Sequence, residues 1–151
     1  MMEVSKETYY KRTPEWGGKN AVRGDLTNQR KVAEVCEKIW NCKFHQYAHF
    51  DTLDWWIERD GRTVAFAELK TSFKDKDFSI LNFRKYIGAM WIRHASNKPV
   101  FIMFLNGNGD IFYEDVINIQ GETKITGSKR LKSINDIEPA LHIDLNSLKK
   151  V

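Results

Sequence analysis

The stretch LDWWIERDGRTVAFAELKTS, residues 53–72, decides how the chain is read. Asp60-Gly61 is a strong hairpin signal between two strand-like runs. Both runs look buried, being rich in tryptophan, alanine and valine, yet they carry Asp54, Glu68 and Lys70. Charges in such a setting are costly unless they are paired or hold a metal. With a three-residue loop of Asp60, Gly61 and Arg62, Arg59 faces Thr63 and Asp54 falls directly opposite Glu68. Their β-carbons would then lie about 5 Å apart on one face. Lys70 shares that face, because side chains two apart on a strand point the same way. A two-residue loop would shift the register by one and turn Asp54 away. Asp51, three residues earlier, faces the other side of a regular strand and would replace Asp54 only through a bulge.

Two carboxylates this close repel each other, and a divalent cation between them removes the repulsion. Magnesium prefers one or two carboxylates, keeps several waters and meets phosphate oxygens. A neighbouring lysine can orient the attacking water or offset charge on a pentavalent phosphate. The set Asp54, Glu68 and Lys70 therefore suits phosphodiester hydrolysis with magnesium or manganese.

Around the hairpin the sequence predicts helices and further strands. In DLTNQRKVAEVCEKIW, residues 25–40, Val32, Val35, Cys36 and Ile39 form one helical stripe, with Asp25 or Thr27 as the cap. KFHQYAHF, residues 43–50, alternates as an extended segment. SILNF, residues 79–83, reads as a short edge strand or the lead-in to a helix. RKYIGAMWIRHAS, residues 84–96, reads as a helix with Ile87, Met90 and Trp91 on its stripe. VFIMFL, residues 100–105, is a continuous apolar run and predicts a central strand buried on both faces. IFYEDVINI and ALHIDL follow as strands, separated by a long basic loop over residues 120–139. NSLKKV is expected to start a helical turn. That order predicts a mixed sheet with helices on its faces, an α/β or α+β domain.

Asp54, a hairpin and then Glu68-Leu69-Lys70, with a helix before and a helix-strand unit after, resembles the PD-(D/E)XK nuclease superfamily over roughly residues 25–118. The segments that follow are similar to small bacteriophage-encoded nucleases of that superfamily. The resemblance implies a restriction-endonuclease-like core and a metal-dependent deoxyribonuclease. It implies Asp54 and Glu68 as metal ligands, the Leu69 carbonyl as a third, and Lys70 as the catalytic lysine. Lys85 matches the lysine that opens the second helix in those enzymes. Leu53 stands where the name-giving proline often sits, and Gln29 where many members carry a glutamate. An amide at Gln29 could still bind a water near the metal but adds no charge, which keeps open an inactive DNA-binding or accessory module on the same fold.

The remaining residues bound this picture. The chain has 151 residues, 42% hydrophobic and 13% aromatic, the size and make-up of one folded domain. Residues 1–24 are polar, basic and glycine-containing and predict an arm; residues 25–151 predict the domain. Net charge is +4 and the pI about 9.0, which favours a polyanionic partner such as DNA. Arg84, Lys85, Lys74, Lys129 and Arg130 are candidates to contact the DNA backbone, and the same lysines and arginines equally serve as solubility charge. Trp55 and Trp56 are expected to pack in the core, with base stacking as the alternative. Arg93, Glu34 and Glu37 are expected on solvated faces. Cys36 and Cys42 match no zinc spacing and read as reduced thiols; His45, His49, His94 and His142 lack a third ligand. No apolar run reaches the roughly 18 residues of a membrane helix, and no secretory leader is visible, so a cytoplasmic protein is expected, in the bacterial host if phage-encoded. A homodimer is compatible with cutting both strands.

Overall fold

The computed structural model describes residues 19–47, 53–72, 74–126 and 138–151. The elements run α1 (Lys19–Trp40), β1 (Lys43–Gln46), β2 (Trp55–Arg59), β3 (Arg62–Thr71), β4 (Phe78–Asn82), α2 (Phe83–Ser96), β5 (Val100–Leu105), β6 (Ile111–Asp115), β7 (Glu122–Thr126), β8 (Glu138–Asp144) and β9 (Lys149–Lys150). A six-stranded sheet has the order β1-β2-β3-β5-β6-β9, and a three-stranded sheet the order β4-β8-β7. Among the described residues only β3 and β5 run parallel, and the other pairings are antiparallel. The domain is thus α+β, as the element order predicted.

The hairpin turn departs from the expected one. Arg59 pairs with Arg62, so the loop is the two residues Asp60 and Gly61, at φ 51° and 72°. Positive φ at both central positions is the type I′ hairpin, whose twist matches that of the strands. This register alone would turn Asp54 away. A bulge corrects it: Glu58 pairs with Thr63 but Ile57 with Ala65, leaving Val64 without a counterpart. Trp55 then pairs with Ala67, and the register carried one residue further sets Asp54 beside Glu68. A Cβ on Gly61 would meet nothing within 4 Å, so Gly61→Ala strains only the backbone. It should cost about 1 kcal/mol and lower the midpoint of thermal unfolding by roughly 2–4 °C.

The main sheet separates two cores. On one face α1 presents Val32, Ala33 and Cys36 to Trp55, Ile57, Ala65, Ala67, Leu69 and Met103. On the other, α2 and the small sheet present Leu81, Ala89, Leu141 and Ile143 to Val100, Ile102 and Phe104. β5 therefore is buried on both faces, as its unbroken apolar run predicted. Burying each of its large side chains contributes about 1.5–3 kcal/mol. Trp55 lies in the first core at 2% exposure, and half-buried Trp56 stacks on His45 with ring centroids 4.0 Å apart.

Several expectations are corrected. α1 starts at Lys19, not at a cap on Asp25 or Thr27, and takes in residues 19–24, where the sequence predicts a loop. One interior glycine, Gly24, costs only about 1 kcal/mol, which a 22-residue helix packed on a core absorbs. On α2 the stripe is rotated: Met90 packs inward with Phe83, Tyr86 and Ala89, whereas Ile87 and Trp91 are 45% and 73% exposed. Arg93 is not solvated; its Nε donates to the Asp115 carboxylate at 3.0 Å. Nor is Glu37, which accepts from the Phe44 N–H at 2.8 Å and pairs with Arg30 at 2.9 Å, tying α1 to β1. The basic segment after residue 120 contains β7, an edge strand whose Glu-Thr-Lys-Ile-Thr composition hides it. The expected turn after β8 is a 3-10 helix, Leu145–Ser147, which gives way to β9. Residues 1–18, the rest of the stretch for which the sequence predicts an arm, lie outside the described residues, as do His49 and Asp51.

Candidate active site

β3 alternates between the two cores. Ala65, Ala67 and Leu69 point toward α1; Phe66, Glu68 and Lys70 point toward α2. Glu68 is 2% exposed, beside the end of β2 where Asp54 sits. Asp54 is held by its backbone: its N–H donates to the Ala67 carbonyl at 3.1 Å, and its carbonyl accepts from the Tyr47 N–H at 2.9 Å. Its Oδ2 accepts from the Leu69 N–H at 2.8 Å. That carboxylate replaces a backbone partner where the ladder between β2 and β3 has stopped.

Two ammonium groups flank Glu68. Lys70 Nζ lies 3.6 Å from Glu68 Oε1. Lys85 Nζ, from the first turns of α2, lies 3.2 Å from Oε1 and donates to Oε2 at 3.3 Å. Asn82 delivers α2 to this position by capping it, its Oδ1 accepting from the Arg84 N–H at 2.7 Å. Burial pushes the Glu68 carboxyl up to about 7, and the Asp54 charge adds to the rise; Lys70 and Lys85 pull against both. Burial likewise pushes the Cys36 thiol up to about 12, so that thiol is inert at neutral pH.

The structure thus brings Asp54, Glu68, Lys70 and Lys85 together. Arg84 is exposed on the same helical turn as Lys85, and Lys74 is exposed in the loop after β3. Gln29 is half-buried on α1, which packs on the opposite face of the sheet, and no hydrogen bond among the described residues joins it to Glu68. Its neighbour Asn28 was passed over in the sequence. Asn28 is 3% exposed, with Nδ2 lacking a hydrogen-bond partner among the described residues. Its spacing four residues before Val32 and eight before Cys36, on the buried stripe, was the available signal. Lys129 and Arg130 lie outside the described residues. Among the described residues no three of His, Cys, Asp and Glu cluster into a metal centre. The Asp54 and Glu68 carboxylates nonetheless offer hard oxygen donors of the kind that a divalent cation takes.

A parallel β3–β5 pair in a mixed sheet, helices on both faces and acidic side chains at the end of a hairpin define the restriction-endonuclease-like fold. The fold is shared with Hjc, a Holliday junction resolvase from the archaeal hyperthermophile Archaeoglobus fulgidus: TM-score 0.56 at 12% identity, over 82% of this chain and 90% of that one. The chain belongs to the nuclease family described as "Phage putative PDDEXK endonuclease", whose model matches residues 19–151. No curated protein matches it in sequence. No helix among the described residues is long and apolar enough to cross a membrane.

Proposed function

We propose that the protein is a metal-dependent deoxyribonuclease in which Asp54 and Glu68 hold a divalent cation, magnesium or manganese. One observation carries this reading: Glu68 is almost fully buried between a second carboxylate and two lysines, a placement that costs stability and calls for a functional return. The Leu69 carbonyl is a further candidate ligand. An extended residue turns its N–H and C=O to the same side, and the Leu69 N–H points at Asp54. When bound, the cation would supply charge stabilisation for the phosphate and the leaving oxygen. Lys70, a third exposed, orients the attacking water and offsets charge developing on the phosphate. Lys85 holds the Glu68 carboxylate in place and adds positive charge beside the same phosphate. Arg84, exposed on the same turn as Lys85, and Lys74, exposed in the loop after β3, are the side chains that would steer the DNA backbone.

The test is titration of magnesium and manganese against supercoiled, linear, single-stranded and branched DNA. Cleavage that rises with the cation and is absent in chelator is the expected result. Tight DNA binding without cleavage on any substrate would instead assign the chain to an accessory module on this fold. Neither binding nor cleavage would overturn the reading.

A further inference from the structure

Resting on the DNA-nuclease reading above, we infer that the outer face of the small sheet is a platform for an unpaired nucleotide of the substrate, built on Phe78 and His142 with Lys76 and Lys124 beside them. In β4, Leu81 points inward at 0% exposure, whereas Phe78 and Ile80 point outward at 43% and 39%. Ile80 pairs with His142 and His142 with Glu122, so the outward row crosses all three strands. Phe78 and His142 stack, their centroids 5.7 Å apart and their planes 13° apart. Lys76 Nζ lies over the Phe78 ring, 5.5 Å from its centroid. The rings border a depression open to solvent, lined also by Asp77, Lys124 and Asp144.

The loop carrying Lys76 is fixed to the main sheet. Buried Asn106 donates through Nδ2 to the Asp75 carboxylate at 2.7 Å and to the Lys76 carbonyl at 3.0 Å, and accepts from the Lys76 N–H at 3.0 Å. Every exit of that amide goes to the segment joining β3 to the platform. β4 runs from Phe78 to Asn82, the residue that caps α2 and so delivers Lys85 to the candidate active site. Phe78 stands four residues before Asn82, about 13 Å of strand, the length of about four stacked nucleotides.

Charge chooses the occupant. Asp77 and Asp144 repel a phosphate in the depression but accept from the exocyclic amino groups of adenine, cytosine or guanine. The two lysines stand where a backbone would pass. Among the described residues Lys124 makes an exposed pair with Glu122 at 3.1 Å, which costs little to open. A base laid on Phe78 displaces the Lys76 ammonium from the ring toward the phosphate, so the cation exchanges one partner for a stronger one.

The experiment compares a blunt duplex with the same duplex carrying a short single-stranded deoxyadenosine tail. Affinities are measured in chelator on the full chain bearing Lys70→Ala, so that nothing is cut. The tail should tighten binding about tenfold. Phe78→Leu should abolish that increment, and Phe78→Trp, which keeps a ring, should preserve it. An equal increment in Phe78→Leu overturns the platform and leaves the nuclease reading standing. So does a self-association lost in Phe78→Leu while the increment persists, which assigns the face to a second copy of the chain. Failure to bind either DNA overturns both readings together.

Discussion

Glu68→Gln and Lys70→Ala should each lower metal-dependent cleavage by about 10²–10⁴-fold, the loss typical when a positioned proton-transfer or charge-stabilising group is removed. Glutamine keeps the shape of Glu68 and its bonding to Lys85, but supplies no charge to a cation. Lys70 is a third exposed, and buried Glu68 keeps Lys85 as a partner when Lys70 is removed, so alanine there leaves the fold intact. Circular dichroism and the unfolding midpoint check that intactness. Wild-type rates in both variants would remove Glu68 and Lys70 from the chemistry. A loss in Glu68→Gln alone would reassign the lysine role to Lys85, the nearer ammonium at 3.2 Å against 3.6 Å.

In chelator the protein should lose stability as pH rises from about 5 to 8. Glu68 keeps its proton in the folded chain up to about 7, whereas its ordinary value is 4.5. Between those values the unfolded chain binds fewer protons than the folded one, so raising the pH favours unfolding. This contribution is fully present below about 4.5 and gone above about 7. The shift corresponds to about 3 kcal/mol. Denaturant titrations at the two ends of the range measure it, and Glu68→Gln should flatten the dependence. Added magnesium should restore stability at the alkaline end, because it binds the deprotonated pair. A stability that rises with pH in chelator, and does so equally in Glu68→Gln, would mean the burial of Glu68 carries no such cost.

The sequence disclosed the strands that are uniform along their length. VFIMFL could only be central, and the alternation of Ala65, Ala67 and Leu69 with Glu68 and Lys70 put both charges on one face. It misjudged elements whose burial depends on what lies across from them. Ile87 and Trp91 look like core residues on a helix, but the small sheet meets α2 on the side of Met90 and Tyr86. Arg93 and Glu37 look solvated until Asp115 and the Phe44 N–H come within reach. β7 is polar because it is an edge. Sequence periodicity reports a face, not its partner. The register that sets Asp54 beside Glu68 comes from a two-residue turn and a bulge, not from the three-residue turn the sequence predicts, because a bulge has no marker in the side chains that surround it.

That bulge makes the acid pair a matter of parity. Along a strand the face alternates with each residue, so what aligns Asp54 with Glu68 is whether the path between them holds an odd or an even number of steps. The type I′ turn sets one parity and Val64 reverses it. The hairpin tip can therefore change length by two residues with no effect on the site. A change of one must be cancelled elsewhere in the hairpin, or one carboxylate moves into the apolar layer beneath α1.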